Sequence, residues 1–483
     1  MCGIAGYVGT AEIGPAAIDA CLGLMGRRGP DLRAHRSWVS PDGRQVHLLH
    51  SRLDIIDPDP RSDQPMRVGP KWISYNGELY NYVELRRDLA REGRAFGTTS
   101  DTEVLLTALD QWGPSALDRC EGMWAFAVYD EREGSLLLSR DRFGEKPLHL
   151  YRDATGLYFG SEPKLVFALL GRRLPVDLDQ ARRFLVNGYK ALYKERGRTF
   201  FQGLCELPPA TSLTVDALGR ESTSTYWEPR CDPDPEMSYE EAVAGARERL
   251  IRAVRLRLRA DVPLAFCMSG GVDSNALISV AKNVCGYDVH GFTIQNTDAR
   301  YEEQDLVEHA VTRLAIRHTS IPLETRDFLP KLRVLVRQHD APVYTITYYA
   351  HRLLMESIAA HGYRVSVSGS AADELFSGYY DHHLAYLHAI RDDAELFERS
   401  LRAWEREIRP FVRNPLLQDP LRLVRDPEAR EHVFFRADDF ADRLTEPWSE
   451  PFTERRFGFD LLRDRLVLPE LNDEFAAKVS KSQ

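Results

Sequence analysis

The chain has 483 residues, 43% hydrophobic and 28% charged, an ordinary globular mix with material for two or three domains, which excludes a disordered, collagenous or coiled-coil chain. Lys plus Arg number 63 against 73 Asp plus Glu, a net charge of −10, so nucleic acid and anionic membranes, which reward a basic footprint, are not expected partners. No apolar run reaches the ~18 residues that span a bilayer, and MCGIAGYVGT lacks the charged and apolar regions of a signal peptide; a cytoplasmic location is expected.

Short apolar runs broken by Gly, Asn, Asp and Pro fill the first 228 residues. GIAGYVG, KWISYN, GMWAFAVYD, SLLLSRD and GLYFGSE read as antiparallel strands, with helices over VELRRDLARE and DTEVLLTALDQW. Ser100 or Asp101 caps the second helix. Residues 229–238, rich in Pro and Asp, form the predicted linker. Beyond it helices and strands alternate: YEEAVAGARERLIRAVRLRL, VPLAFCM, NALISVAKNV, VHGFTI, then LLMESIAAHG and YRVSVSG. That order predicts a doubly wound parallel sheet. From about residue 385 the chain is charge-rich with a helical pattern.

Seven cysteines stand at 2, 21, 120, 205, 231, 267 and 285. An odd count without CxxC spacing argues against a disulfide framework or a structural zinc site. Six read as small buried hydrophobes. Cys2 differs. If Met1 is removed, the thiol and an α-amine share one residue, and an amine with an ordinary pKa of ~7.7–8.0 is partly neutral near pH 7. A nucleophile then carries its own base.

Six segments follow in order: RRGPD (27–31), HSRLDIID (50–57), SYNGELYNY (74–82), SDTEVLL (100–106), GMWAFAVYD (122–130) and RDRFGEKPL (140–148). With Cys2 they resemble the class II glutamine amidotransferases, over residues 2–228. The resemblance implies an α+β N-terminal-nucleophile hydrolase sandwich (αββα) in which Cys2 attacks the glutamine amide. It makes Asn76 and Gly77 the oxyanion donors, a role that suits a side-chain amide and a backbone N–H. Arg52 and Asp101 would hold the carboxylate and ammonium of glutamine, with Leu53, Ile55, Ile56 and Glu78 lining the pocket.

The second signal is AFCMSGGVDSNALISV. A strand ends at Met268, and Ser269, Gly270, Gly271, Asp273 and Ser274 turn into a helix, a geometry that turns amides and hydroxyls toward an anion. Asp273 can hold Mg²⁺ against phosphate. Five fixed positions coincide by chance about once in 10⁶ sites at ~6% usage each. Without GK[ST] this is not a Walker A loop. SGGVDS resembles the pyrophosphate loop of ATP pyrophosphatases, and VSVSGSAADELFSGYYDHH (365–383) resembles the SG-x-x-x-DE-x-F-x-GY signature of asparagine synthetases.

For residues 239–483 the resemblance implies an α/β parallel-sheet ATP-pyrophosphatase domain with a helical C-terminal part. Met268, Ile294, Ser368 and Gly369 would contact the nucleotide, and Asp373 would join Asp273 at Mg²⁺. Tyr301, Glu302 and Glu303, and DAPVYT (340–345), fit the family order. His382 and His383 lack the carboxylate spacing of a metal site.

Two features depart from the family. Ser370 stands where many members carry an acid or amide after the SG pair. The terminal S-x-E-x-R-x-PFLD stretch, with its preceding pyrophosphate-contacting lysine, has no counterpart, and neither Lys478 nor Lys481 matches that lysine. The implied activity is glutamine-dependent amidation of a carboxylate through acyl-AMP, with glutamine, ATP and the acid as partners, Mg²⁺ as cofactor and a homodimer as the assembly. Aspartate is the first acceptor. A uronic acid or sugar, a secondary-metabolite carboxylate, and a glutaminase or regulator with an inactive synthetase half stay open.

Overall fold

The computed structural model describes residues 1–229, 236–295, 303–427 and 438–448, with single residues 232, 234 and 429. Tyr301, Glu302, Lys478 and Lys481 lie outside the described residues.

The first half runs β1 (Gly3–Gly9), α1 (Pro15–Met25), β2 (Leu32–Val39), β3 (Gln45–Arg52), β4 (Met66–Val68), β5 (Lys71–Leu79), α2 (Tyr82–Arg91), α3 (Asp101–Trp112) and α4 (Ala116–Arg119). It continues with β6 (Gly122–Asp130), β7 (Ser135–Arg140), β8 (His149–Asp153), β9 (Gly156–Gly160), α5 (Pro163–Leu170), α6 (Leu178–Asn187), β10 (Leu204–Glu206), β11 (Thr211–Val215) and β12 (Glu221–Thr225). These strands form two antiparallel sheets, ordered β10-β8-β9-β1-β3-β2 and β12-β11-β7-β6-β5-β4.

Strand alternation explains how the layers stack, because successive side chains leave opposite faces of a strand. On β1, Ile4 and Val8 point between the sheets and pack with Ala125, Ala127, Leu136 and Leu213 of the facing sheet. Ala5 and Tyr7 point outward against Cys21 and Met25 of α1 and Leu165 and Leu169 of α5. On β5, Ile73, Tyr75 and Leu79 face out toward Leu85, Leu89 and Leu105 of α2 and α3. The result is four layers, α/β/β/α. Parity then turns the even-numbered Cys2, Asn76 and Glu78 into the gap between the sheets.

The second half begins at α7 (Tyr239–Arg257), whose start is a reciprocal cap. Ser238 Oγ accepts from the Glu241 amide at 3.2 Å, and the Ser238 amide donates to Glu241 Oε2 at 2.9 Å. Then follow β13 (Leu264–Cys267), α8 (Val272–Ser279), β14 (His290–Gln295), α9 (Gln304–Leu314), β15 (Arg317–Pro322), α10 (Phe328–His339), α11 (Thr347–Ala360), β16 (Val365–Val367), α12 (Ala372–Phe376), α13 (Tyr380–Ala389) and α14 (Ala394–Glu407). The four strands are parallel, in the order β15-β14-β13-β16. Succession reverses between β13 and β16, and in open α/β sheets ligands bind beyond the carboxyl ends of strands at such a switch point. Both segments singled out in the sequence leave from there.

Among the described residues no helix is long and apolar enough to cross a membrane.

Candidate active site

Cys2 sits at the amino end of β1. Because Gly3 pairs with Ser51 of β3, the next step along the ladder brings Cys2 beside the residues that leave β3. The Leu53 amide accordingly donates to Cys2 Sγ at 3.4 Å. Arg28 Nε donates to the Cys2 carbonyl at 2.9 Å, and Arg28 Nη1 pairs with Glu162 at 3.0 Å. Burial pushes the Cys2 thiol up, which keeps it protonated and makes a neighbouring base necessary for attack.

A cleft opens here. All nine residues expected around glutamine line it: Cys2, Arg52, Leu53, Ile55, Ile56, Asn76, Gly77, Glu78 and Asp101. Met1, Ser62, Gln64, Tyr75, Ser100, Thr102, Met123 and Lys146 complete the wall. Ser100 reads in sequence only as a helix cap, and the other seven as no part of a pocket. Tyr75 and Lys146 lie inside quoted motifs, whereas Ser62 and Gln64 carry no local signal. Gln64 holds the wall together: its Oε1 accepts from the Tyr75 amide at 2.7 Å and its Nε2 donates to Thr102 Oγ1 at 3.2 Å.

The floor of the cleft is polar and unsatisfied. Asn76 is 1% exposed, and its Nδ2 is buried without a hydrogen-bond partner among the described residues. A buried amide donor with no acceptor carries a desolvation cost of about 1–3 kcal/mol, which an incoming oxygen would remove. Beside it Gly77 has no room for a side chain, since a Cβ would overlap the Met123 carbonyl. Glu78 is pushed up to about 7 by burial, with Lys146 pulling the other way.

Charge is arranged at both ends. Ser100, not Asp101, caps α3 by accepting from the Thr102 amide at 3.1 Å. That frees the Asp101 carboxylate to turn inward, where it accepts from the Leu79 amide at 2.9 Å and from Tyr75 Oη at 3.3 Å. Burial raises its pKa to about 6. Arg52 is also buried, but it is not a free cation. Its guanidinium lies 3.0 Å from Asp54 and 2.7 Å from Asp63, and it donates to the carbonyls of Asp57 and Asp59. A carboxylate arriving at Arg52 shares it.

The second constellation gathers at the switch point. Ser269 and Ser274 hydroxyls lie 3.0 Å apart, and the Ser269 amide donates to Ser274 Oγ at 3.2 Å. Asn275 Nδ2 ties the loop down on the Ser269 and Gly271 carbonyls at 3.0 and 2.8 Å. The Gly270 amide does not face open space. It donates to Glu303 Oε2 at 2.8 Å, so a carboxylate stands where an anion was expected.

Gly369 lets the two loops touch, because a Cβ there would lie 2.9 Å from the Ser274 amide nitrogen and 3.1 Å from Asp273 Cβ. Asp373 is pushed up by burial and by the neighbouring Asp273 and Glu374 carboxylates, a repulsion that a cation would relieve. Ser368 Oγ and Ser370 Oγ lie 3.0 Å apart. Met268 is buried, with its amide on the Phe292 carbonyl at 2.8 Å, and Ile294 is partly buried on β14. Among the described residues no group of three His, Cys, Asp or Glu side chains is arranged to hold a metal.

Residues 1–227 match the family described as glutamine amidotransferase domain, and residues 245–475 match asparagine synthase. The chain belongs to the glutamine-hydrolysing asparagine synthetase family. It is 28% identical over 445 residues to glutamine-hydrolyzing asparagine synthetase 3 of Bacillus subtilis (strain 168), covering 84% of this chain and 69% of that protein. Amidase chry2 of Gibberella zeae is 27% identical over 413 residues, covering 78% and 59%. The chain thus spans about three-fifths to two-thirds of the length of these relatives. Among solved structures, glutamine phosphoribosylpyrophosphate amidotransferase from B. subtilis, complexed with ADP and GMP, aligns at TM-score 0.34 and 16% identity over 71% of this chain and 79% of that one.

Proposed function

We propose that this family member hydrolyses glutamine at Cys2 and uses the released ammonia to amidate a carboxylate that its second half activates with ATP. The observation that carries the reading is the buried Asn76 Nδ2, unpartnered among the described residues, in the cleft that Cys2 lines. It is a donor prepared for an oxygen that becomes negative only during reaction.

Once Met1 is removed, the Cys2 amine takes the thiol proton and Sγ attacks the amide carbon of glutamine. The oxyanion accepts from Asn76 Nδ2 and the Gly77 amide. The C–N bond then breaks, the amine returns its proton to the departing nitrogen, and ammonia leaves a thioester on Sγ. Water cleaves that thioester to glutamate and restores the thiol. Asp101 pairs with the substrate ammonium, while Arg52, shared with Asp54 and Asp63, takes its carboxylate.

At the switch point a carboxylate oxygen of the acid attacks the α-phosphorus of ATP, and the bond to the β-phosphate oxygen breaks to release pyrophosphate. Ammonia attacks the acyl carbon and AMP departs with the electron pair. The hydroxyls and amides of residues 269–274, with Ser368 and Gly369, hold the nucleotide beside Met268 and Ile294. Asp273 and Asp373 would hold Mg²⁺, whose chemistry is to neutralise the phosphates.

Aspartate is the acceptor that the family supports first. Ser370 and the similarity to a protein named an amidase favour a second acceptor class, another small-molecule carboxylate. The test is AMP and pyrophosphate release across a panel of acids, with glutamine or ammonium as nitrogen donor. Cys2→Ala is expected to lose glutaminase activity and keep ammonium-dependent amide formation. ADP with orthophosphate as products, or equal loss of both activities in a folded Cys2→Ala protein, overturns the reading.

A further inference from the structure

The wall formed by residues 53–57 leaves the end of β3 and belongs to no ladder. Its Leu53 amide meets the Cys2 sulfur, and Ile55 and Ile56 line the cleft. Its own half fastens the segment through Arg52, Arg61 and the Thr99 amide on Asp54 and Asp57, and the other half adds two attachments. The Asp261 amide donates to the Ile55 carbonyl at 2.9 Å, and the Asp57 amide donates to Asp261 Oδ2 at 2.7 Å. A second attachment runs through Asp31, whose Oδ2 accepts from the Asp54 amide at 2.9 Å and pairs with the Arg364 guanidinium.

Asp261 and Arg364 hold matching places in the parallel sheet. Asp261 lies three residues before β13 and Arg364 one residue before β16. These two strands are hydrogen-bonded neighbours, Leu264 pairing with Val365. They are four and three residues long. Their amino ends therefore grip the 53–57 segment, while their carboxyl ends carry the loops of residues 269–274 and 368–373.

We infer that Asp261 and Arg364 are positioning residues for the glutamine cleft: a two-point clamp through which the synthetase sheet sets the shape, and so the glutamine affinity, of the glutaminase pocket. The inference rests on the proposed glutaminase reading for its ligand, and on hydrogen-bond geometry alone for the clamp. Neither residue lines the cleft, so neither touches the substrate. Both are partly solvent-exposed, and the loss of one such attachment is worth a modest factor.

The experiment uses the full chain with Asp261→Ala, Arg364→Ala and the double substitution. Glutaminase kinetics are measured alongside amide hydrogen exchange of the peptide spanning 53–57. Each single change is expected to raise KM for glutamine about three- to five-fold with kcat within two-fold, and to speed exchange of that peptide. The double change raises KM about ten-fold or more, and Arg364→Lys, which keeps the charge, stays nearer wild type. Ammonium-dependent synthesis remains unchanged in every variant.

A rise in KM without faster exchange, faster exchange without a rise in KM, or no change in either overturns the clamp. A wild-type protein without glutaminase activity sinks the functional reading instead. In that case exchange over 53–57 still decides whether Asp261 and Arg364 hold the segment.

Discussion

Lys146 Nζ lies 3.3 Å from the thioether sulfur of Met1, in the cleft that Cys2 and Asn76 line. The Met1 amine meanwhile donates to the Arg28 carbonyl at 3.2 Å, and burial lowers its pKa to about 5. Met1 thus occupies space that the proposed glutamine would need, and a residue-1 amine is one residue away from the thiol it would need to serve. Active protein is expected to lack Met1, as read by intact mass. A variant in which Met1 is retained by blocked processing is expected to lose about 10²–10⁴ in glutaminase kcat, the range for a lost general base. Full activity with Met1 in place rules out the self-activated thiol.

Asn76→Ala removes the unpaired donor without touching the sheet ladder. The expected result is a fall in glutaminase kcat of about 10²–10³ with KM little changed, as for loss of one oxyanion donor. Removing a buried unsatisfied amide also relieves a cost, so the thermal midpoint should hold steady or rise. A change confined to KM would count against the oxyanion assignment.

The pKa of Asp101, raised to about 6 by burial, gives a signed pH dependence. The ionised carboxylate is the form that pairs with an ammonium, so glutaminase kcat/KM is expected to fall as pH drops through about 6. Asp101→Asn should lower kcat/KM by about 10–100-fold, the scale of a hydrogen bond to a charged group, and abolish that limb of the profile.

Stability runs the opposite way. A carboxyl whose folded pKa lies above its unfolded value binds more protons when folded, so its contribution worsens as pH rises from about 4 through 6. The buried charge costs roughly 3 kcal/mol at pH 8. The midpoint of Asp101→Asn relative to wild type should therefore be more favourable at pH 8 than at pH 5, in paired thermal melts.

Gly369→Ala tests the other half. Its Cβ would press on the Ser274 amide and on Asp273, separating the two loops where the nucleotide is proposed to lie. Overpacking of this kind costs about 1–3 kcal/mol. The expected outcome is at least about ten-fold loss of acid-dependent pyrophosphate release with glutaminase activity retained. Gly378→Ala, whose Cβ would overlap Asp373 Oδ1, should behave alike. Loss of glutaminase in step with pyrophosphate release would argue for general unfolding instead.

Much of the cleft was legible because it rests on short-range rules. Alternation along GIAGYVG and KWISYNGEL puts Cys2, Asn76 and Glu78 on one side of their strands, and DTEVLLTALDQW coincides with α3 from Asp101 to Trp112. The doubly wound half followed from its alternating order. What was not legible depends on distant partners or lacks an apolar signal. The strand ESTST is exposed at all five positions and exists by pairing with β11. Arg52 reads in sequence as the cation for a glutamine carboxylate, yet Asp54, two positions on, and Asp63, after the chain turns back, both pair with it. Likewise the Gly270 amide meets Glu303, from 33 positions away; nothing in SGGVDS itself announces that occupant.

Asp57 and Asp261 are 204 positions apart in the chain, and Asp31 and Arg364 are 333 apart. During synthesis the amino-terminal half emerges and folds first, and its cleft wall gains the Asp261 and Arg364 attachments only once the strand behind Arg364 has left the ribosome. On the proposed reading, a nascent chain would bind glutamine less tightly until the sheet that consumes the nitrogen stands beside it.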